Sequence, residues 1–394
     1  MSTLTAPSAE PAVYVPFTAE TWRDPYPLYR RLREQDPVHH APVGAWVLTR
    51  FADVFEAARD TTTYSSASGL TFVNEIEELG GQLRTMVMMD PPDHTVHRRA
   101  VSPDFTARKV RALELSARSF VQDRLQELID AGGGDFVAGL ARRLPAAVVG
   151  DYLGVPQADR ERFEDWTVSL VQAGANGHMT DAQEALMDLY GYFSTLIDQR
   201  KDEPGPDMLS AAMRNAPQLS ALDVLGMAFV MIAGGNDTAT GLLAGAAELL
   251  TAHPDQRQLL IDDPELIPGA VEEMLRLTSP VQGLCRTVTT DVTLHGKTVP
   301  AGDRVLLCYG AANRDPREFG RSAEEFHVTR RIPRMLTFSV GAHYCLGAHA
   351  ARLEGRVVVE ELLRLCPDFT VDSAAGRFAE GAFTRRYDYL PFTP

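Results

Sequence analysis

Apolar residues fall at helical spacing over most of this chain, and the runs that break the pattern are short. Asp24-Pro25-Tyr26-Pro27 opens a helix that continues through Leu32 and ends near Pro37. Residues 45–49 alternate as a strand does, and 51–60 return to helical spacing. Residues 65–89 are irregular and contain glycine, as a mobile cover over a pocket would be. Asp90-Pro91-Pro92-Asp93 then opens a short helix carrying His94 and Arg98; proline suits a first turn, where a missing N–H has no partner to lose. Long amphipathic helices are expected over 107–131, 136–153, 157–172, 181–200 and 220–252, then over 254–261 and 264–277. Short β-type runs, 286–294 and 304–307, are broken by Gly296 and Gly302. A Pro- and Arg-rich irregular stretch, 313–335, leads to a last helix over 347–365 and a tail of strands and turns. The pattern predicts a mainly α protein with small β-sheets and no internal repeat.

Composition narrows the class. With 45% hydrophobic and 23% charged residues and no long linker, the 394-residue chain reads as a single domain over 1–394. A net charge of −15 disfavours nucleic acid and anionic membranes. The N-terminus shows no basic patch followed by an apolar run, so no signal or membrane anchor is expected there. Residues 224–250 are apolar enough to span a bilayer, but Asn236 and Asp237 sit at their centre, which favours a long helix buried in protein and a cytoplasmic location. None of Cys285, Cys308, Cys345 and Cys366 forms a Cys-x-x-Cys pair, which excludes a disulfide scaffold.

Cys345 stands apart because of its neighbours. Phe338-Ser339-Val340-Gly341-Ala342-His343-Tyr344-Cys345-Leu346-Gly347 directly precedes a helix. A helix N-terminus offers free N–H groups and partial positive charge, which favour a thiolate. One alternative is zinc held by His343, Cys345 and His349, although a structural zinc site usually takes four ligands in paired spacing. The run resembles the haem-binding signature of the cytochrome P450 family, with Ser339 where glycine is common.

The resemblance extends along nearly the whole chain and implies the cytochrome P450 fold, with a long central helix over haem b (iron protoporphyrin IX). Cys345 would be the iron ligand, with Phe338 and Gly347 against the macrocycle. His94, Arg98, Arg286 and His343 match positions that bind the haem propionates, as a scattered cationic set. Glu273 and Arg276, at i and i+3, match a structural Glu-x-x-Arg pair whose partner is Arg330. In Gly234-Gly235-Asn236-Asp237-Thr238, two glycines weaken a helix interior, and Thr238 is placed to bond the carbonyl of Gly234. The family's acid–alcohol pair falls on Asp237 and Thr238, which would relay protons and steady bound dioxygen.

The implied activity is monooxygenation of an apolar organic substrate with O2. No flavin or nicotinamide motif is present, so electrons would come from a ferredoxin and a ferredoxin reductase. Arg98, Arg99, Arg108, Lys109, Arg111, Arg352 and Arg356 are the expected basic patch for an acidic donor. Candidate pocket residues are Leu70, Phe72, Val73, Met86, Met88, Met89, Phe229, Ala233, Gly234, Val281, Gln282, Leu284 and Phe383. The rival functions are a peroxygenase or reductase that bypasses the partner, and a non-catalytic haem or ligand sensor.

Overall fold

A computed structural model describes residues 12–14, 18–72, 85–176, 183–381 and 383–394. Val73, and with it the middle of the expected cover segment, lies outside the described residues.

The helix Ala221–Ala252 runs through the centre. Its start is set locally: Ser220 accepts from the Asp223 N–H while Asp223 accepts from the Ser220 N–H, a reciprocal cap. Its side chains are largely buried all round, as expected of a helix inside a core. Helices Arg143–Leu153, Gln183–Asp202, Ile267–Thr278 and Ala348–Leu365 pack against it. The last of these, the cysteine helix, approaches closely: a Cβ added to Gly355 would lie 3.3 Å from Leu242.

A five-stranded sheet lies to one side, in the order Val38–Ala41, Ala45–Leu48, Arg304–Leu307, Leu284–Val288, Tyr64–Ser65. Only the pairing of Ala45–Leu48 with Arg304–Leu307 is parallel. Arg286 sits on this sheet opposite Val305. Among the described residues, no helix is long and apolar enough to cross a membrane.

Several expected elements are divided. The helix expected over 107–131 becomes Ala107–Arg111 and Glu114–Asp130, because Ala112 and Leu113 close tighter bonds to Lys109 and Val110 and re-aim the chain. The helix expected over 136–153 opens with a wide turn, Val137–Ala141, before Arg143–Leu153. Pro145 has no N–H for the Ala141 carbonyl, and the Thr240 hydroxyl donates to it instead at 3.2 Å. The strand expected over 286–294 is two, Leu284–Val288 and Val292–Leu294. Helix Met208–Asn215 was not expected; Asp207 caps it by accepting from the Ser210 N–H.

Candidate active site

The loop before the cysteine helix is shaped by two left-handed residues, Ser339 (φ 55°) and Gly341 (φ 72°). A Cβ on Gly341 would also stand 3.2 Å from the Arg59 backbone, so this glycine meets helix Phe51–Arg59 rather than a ligand face. Ser339 tolerates a conformation that suits glycine better, at a cost of roughly 1–2 kcal/mol. The Cys345 N–H donates to the Phe338 carbonyl at 2.8 Å and closes the loop.

Cys345 is exposed, yet protein atoms surround it densely enough that burial pushes its thiol pKa up. Exposure within such a dense shell is the mark of a concave position. The Gly347 N–H, Arg98 and Arg352 act in the opposite direction and favour the thiolate. A metal ion bound to Sγ would remove the proton outright.

The zinc alternative fails: among the described residues, no group of three or more His, Cys, Asp or Glu is arranged to hold a metal ion. Below the loop, Phe338 is buried with Arg352 stacked 4.6 Å over its ring.

Four residues from three elements converge around His343, on the cysteine loop. The rings of His94, on helix Asp93–Val101, and His343 are 4.4 Å apart. Arg98 lies one turn beyond His94 and is close enough to be influenced by Cys345. Arg286 is 2% exposed and its guanidinium bonds only the Cys285 carbonyl among the described residues. Burial, then Arg286, His94 and Arg98, pushes His343 down to about 3, and burial followed by Arg98 lowers His94. Burial and the neighbouring arginines thus disfavour charge on both imidazoles, while the two arginines carry fixed charge. Among the described residues no carboxylate pairs with either arginine. A buried charge without a counter-charge is costly, so the site suits an anionic ligand.

A knot of charge braces the loop from behind. Glu273 and Arg276 are wholly buried and form two bonds, at 2.7 and 2.8 Å. Arg276 also donates to the carbonyls of Asn313 and Ala323, and Arg330 donates to Glu273 at 2.9 Å. Asn313 carries this order forward by accepting from the Leu336 N–H and donating to Thr337. Neither Asn313 nor Thr337 was singled out from sequence.

On the central helix, Thr238 donates to the Gly234 carbonyl at 2.7 Å. The two glycines have different surroundings. A Cβ at Gly234 would meet nothing within 4 Å, whereas one at Gly235 would stand 2.9 Å from Val149. Ala233 and Gly234 are exposed in the middle of an otherwise buried helix, so a cleft reaches them. Asp237 is paired at 2.6 Å with Arg386, a partner that sequence reasoning missed.

The candidate pocket residues divide. Leu70, Met88, Val281, Leu284 and Phe383 keep partial exposure. The Phe383 carbonyl accepts from the Gln282 N–H and Val281 bridges Thr384, which brings tail and turn together. Phe229, Met86 and Met89 belong to the main core. Phe72 is half-buried and packs toward Tyr14 in a separate cluster, and the Gln282 amide nitrogen donates to the carbonyls of Thr278 and Ser279.

The expected basic patch is thinned. Arg352 pairs with Glu272, Arg356 with Glu114 and Glu360, and Lys109 with Asp104, while Arg98 turns toward Cys345. Arg99, Arg108 and Arg111 remain exposed.

Comparisons with known proteins point to one family. The family model described as Cytochrome P450 matches residues 246–373. The chain is 49% identical over 389 residues to Cytochrome P450 130 of Mycobacterium tuberculosis, covering 95% of this chain and 96% of that protein. It is 34% identical to the Vitamin D(3) 25-hydroxylase of Pseudonocardia autotrophica, covering 96% and 95%. A solved structure, the Mycobacterium marinum cytochrome P450 CYP268A2 in complex with pseudoionone, aligns with TM-score 0.87 at 30% identity, covering 97% of this chain and all of that one.

Proposed function

The chain belongs to the cytochrome P450 family of monooxygenases, and we propose that it inserts one oxygen atom from O2 into a large apolar substrate, with electrons from a separate ferredoxin and its reductase. The observation that carries this reading is the pairing of an accessible Cys345 thiol at a helix start with buried Arg286, which no carboxylate among the described residues pairs with. Haem b fits that arrangement: Cys345 would ligate the iron, and Arg98, Arg286, His94 and His343 would take the propionates. Bound through a thiolate, haem supplies dioxygen activation, O–O cleavage and oxygen transfer to a C–H bond.

The chain's own residues orient, exclude water and move protons. Gly234 leaves space beside the helix, and Thr238, held by the Gly234 carbonyl, keeps its hydroxyl at the edge of that space. Asp237 is one residue away and relays protons from the solvent side. Partial exposure of Leu70, Met88, Val281, Leu284 and Phe383 supports an apolar pocket. The names of relatives point the same way: one is a Vitamin D(3) 25-hydroxylase and another a Steroid C26-monooxygenase. Arg99, Arg108 and Arg111 are what remains of a surface for an acidic donor.

The test is Thr238→Ala in the reconstituted system. We expect unchanged substrate affinity, less product per reducing equivalent and more released peroxide. Unchanged product yield would favour a sensor, and peroxide-driven turnover exceeding reductase-driven turnover in the parent would favour a peroxygenase.

A further inference from the structure

Resting on the monooxygenase reading, we propose that Arg386 is a positioning residue that decides when Asp237 holds a proton and where its carboxyl points. Arg386 comes from the C-terminal tail, far from Asp237 in sequence, and is 2% exposed. Its Nε lies 2.6 Å from Asp237 Oδ1 and its Nη1 lies 3.3 Å from Asp388 Oδ1. Arg142, at the end of the wide turn, reaches the same Asp388 oxygen at 2.7 Å. Two carboxylates and two guanidiniums thus alternate in one row: Asp237, Arg386, Asp388, Arg142. Arg142 Nε is buried with no hydrogen-bond partner, so the row holds an unspent donor.

The backbone that presents Arg386 has little room to move. The Arg385 N–H donates to the Pro280 carbonyl at 2.7 Å, and the Ala379 N–H donates to the Arg386 carbonyl at 3.0 Å. A Cβ on Gly241, one turn along the central helix from Asp237, would stand 2.8 Å from the Arg385 carbonyl. The tail is pressed onto the helix where the acid sits. Arg386 therefore clamps Asp237 in one orientation, and a proton reaches that carboxyl only against the pull of a fixed cation.

The charged groups facing Asp237 among the described residues are Arg386, Arg142 and Asp388. Burial pushes the Asp237 carboxyl up, and Arg386 and then Arg142 pull it back. Removing Arg386 leaves a buried acid with less compensation, so it should hold its proton to higher pH. Removing Asp388 frees Arg386 for Asp237 and should act in the opposite sense.

The experiment is pH-difference infrared spectroscopy of the substrate-free ferric holoenzyme, following the carbonyl stretch of a protonated carboxylic acid. In Arg386→Gln this band should appear at a pH higher than in the parent by about one unit or more. Arg386→Lys should restore the parent titration, Asp388→Asn should shift it lower, and Arg386→Gln/Asp237→Asn should lack the band. The product yield per reducing equivalent should move along pH in the same order. An unshifted band in both Arg386→Gln and Asp388→Asn overturns the proposal. So does a band that survives in the double variant, or a loss of thermal stability in Arg386→Lys and Arg386→Gln alike without any shift. The band is read without turnover, so its failure is separable from failure of the monooxygenase reading, which Thr238→Ala tests.

Discussion

Arg286 shows how much a single residue can reveal. A guanidinium cannot shed its charge, and this one is buried with a bond only to the carbonyl of the residue before it among the described residues. That arrangement is unfavourable unless an anion completes it. Arg286→Gln should therefore leave the haem-free chain as stable as the parent or more so. A charge-assisted bond contributes about 1.5–3 kcal/mol, so haem transfer to a scavenging globin should be faster by roughly ten- to a hundredfold. Equal transfer rates would remove Arg286 from the cofactor site. Sequence motifs pointed to Arg286, but they did not show that no carboxylate among the described residues pairs with it, nor that burial and the arginines lower the His94 and His343 pKa values. Both facts follow from burial and from partners that the chain supplies across long separations.

At the scale of elements, the central helix was legible from its apolar run and its capping sequence, and its adjacent glycines drew attention at once. Their division of labour was not legible, because it depends on what faces each one. Gly235→Ala would overlap Val149 and should destabilise by about 1–3 kcal/mol. Gly234→Ala meets nothing and should gain up to about 1 kcal/mol of helix propensity. The same change should weaken binding of large substrates, read by perturbation of the haem absorption band. Equal stability effects at the two positions would contradict this division. The wide turn Val137–Ala141 was hidden for a similar reason: Pro145 announced a break, but the carbonyl it frees is taken by Thr240 on another helix. Arg386 was invisible as a partner of Asp237, since no local pattern links the tail to the central helix.

Across the whole molecule, the fold class was readable because helical periodicity dominates, while the ion-pair pattern that closes the structure was not. Arg352 and Arg356 looked like a docking surface and instead join the cysteine helix to its neighbours through Glu272 and Glu114. Glu354, on the cysteine helix, is the opposite case: buried, with one oxygen unbonded, and raised by burial to about 8. The folded state keeps this proton up to about 8, while the unfolded chain releases it near the ordinary glutamate value. Folded protein binds the extra proton between those limits, so stability should fall as pH rises through that window. Glu354→Gln should remove that part of the decline, on the order of a few kcal/mol, in unfolding midpoints measured from pH 5 to 8. Parallel curves for parent and variant would show that Glu354 is hydrated or paired. The central claim, a thiolate from Cys345 on haem iron, is tested most directly by the absorption spectrum of the reduced protein under carbon monoxide. The parent should show the strongly red-shifted Soret band of a thiolate-ligated ferrous complex, and Cys345→His should show the shorter-wavelength band of a histidine-ligated one. A parent spectrum already of the histidine type, or a red-shifted band that survives Cys345→His, would contradict the account.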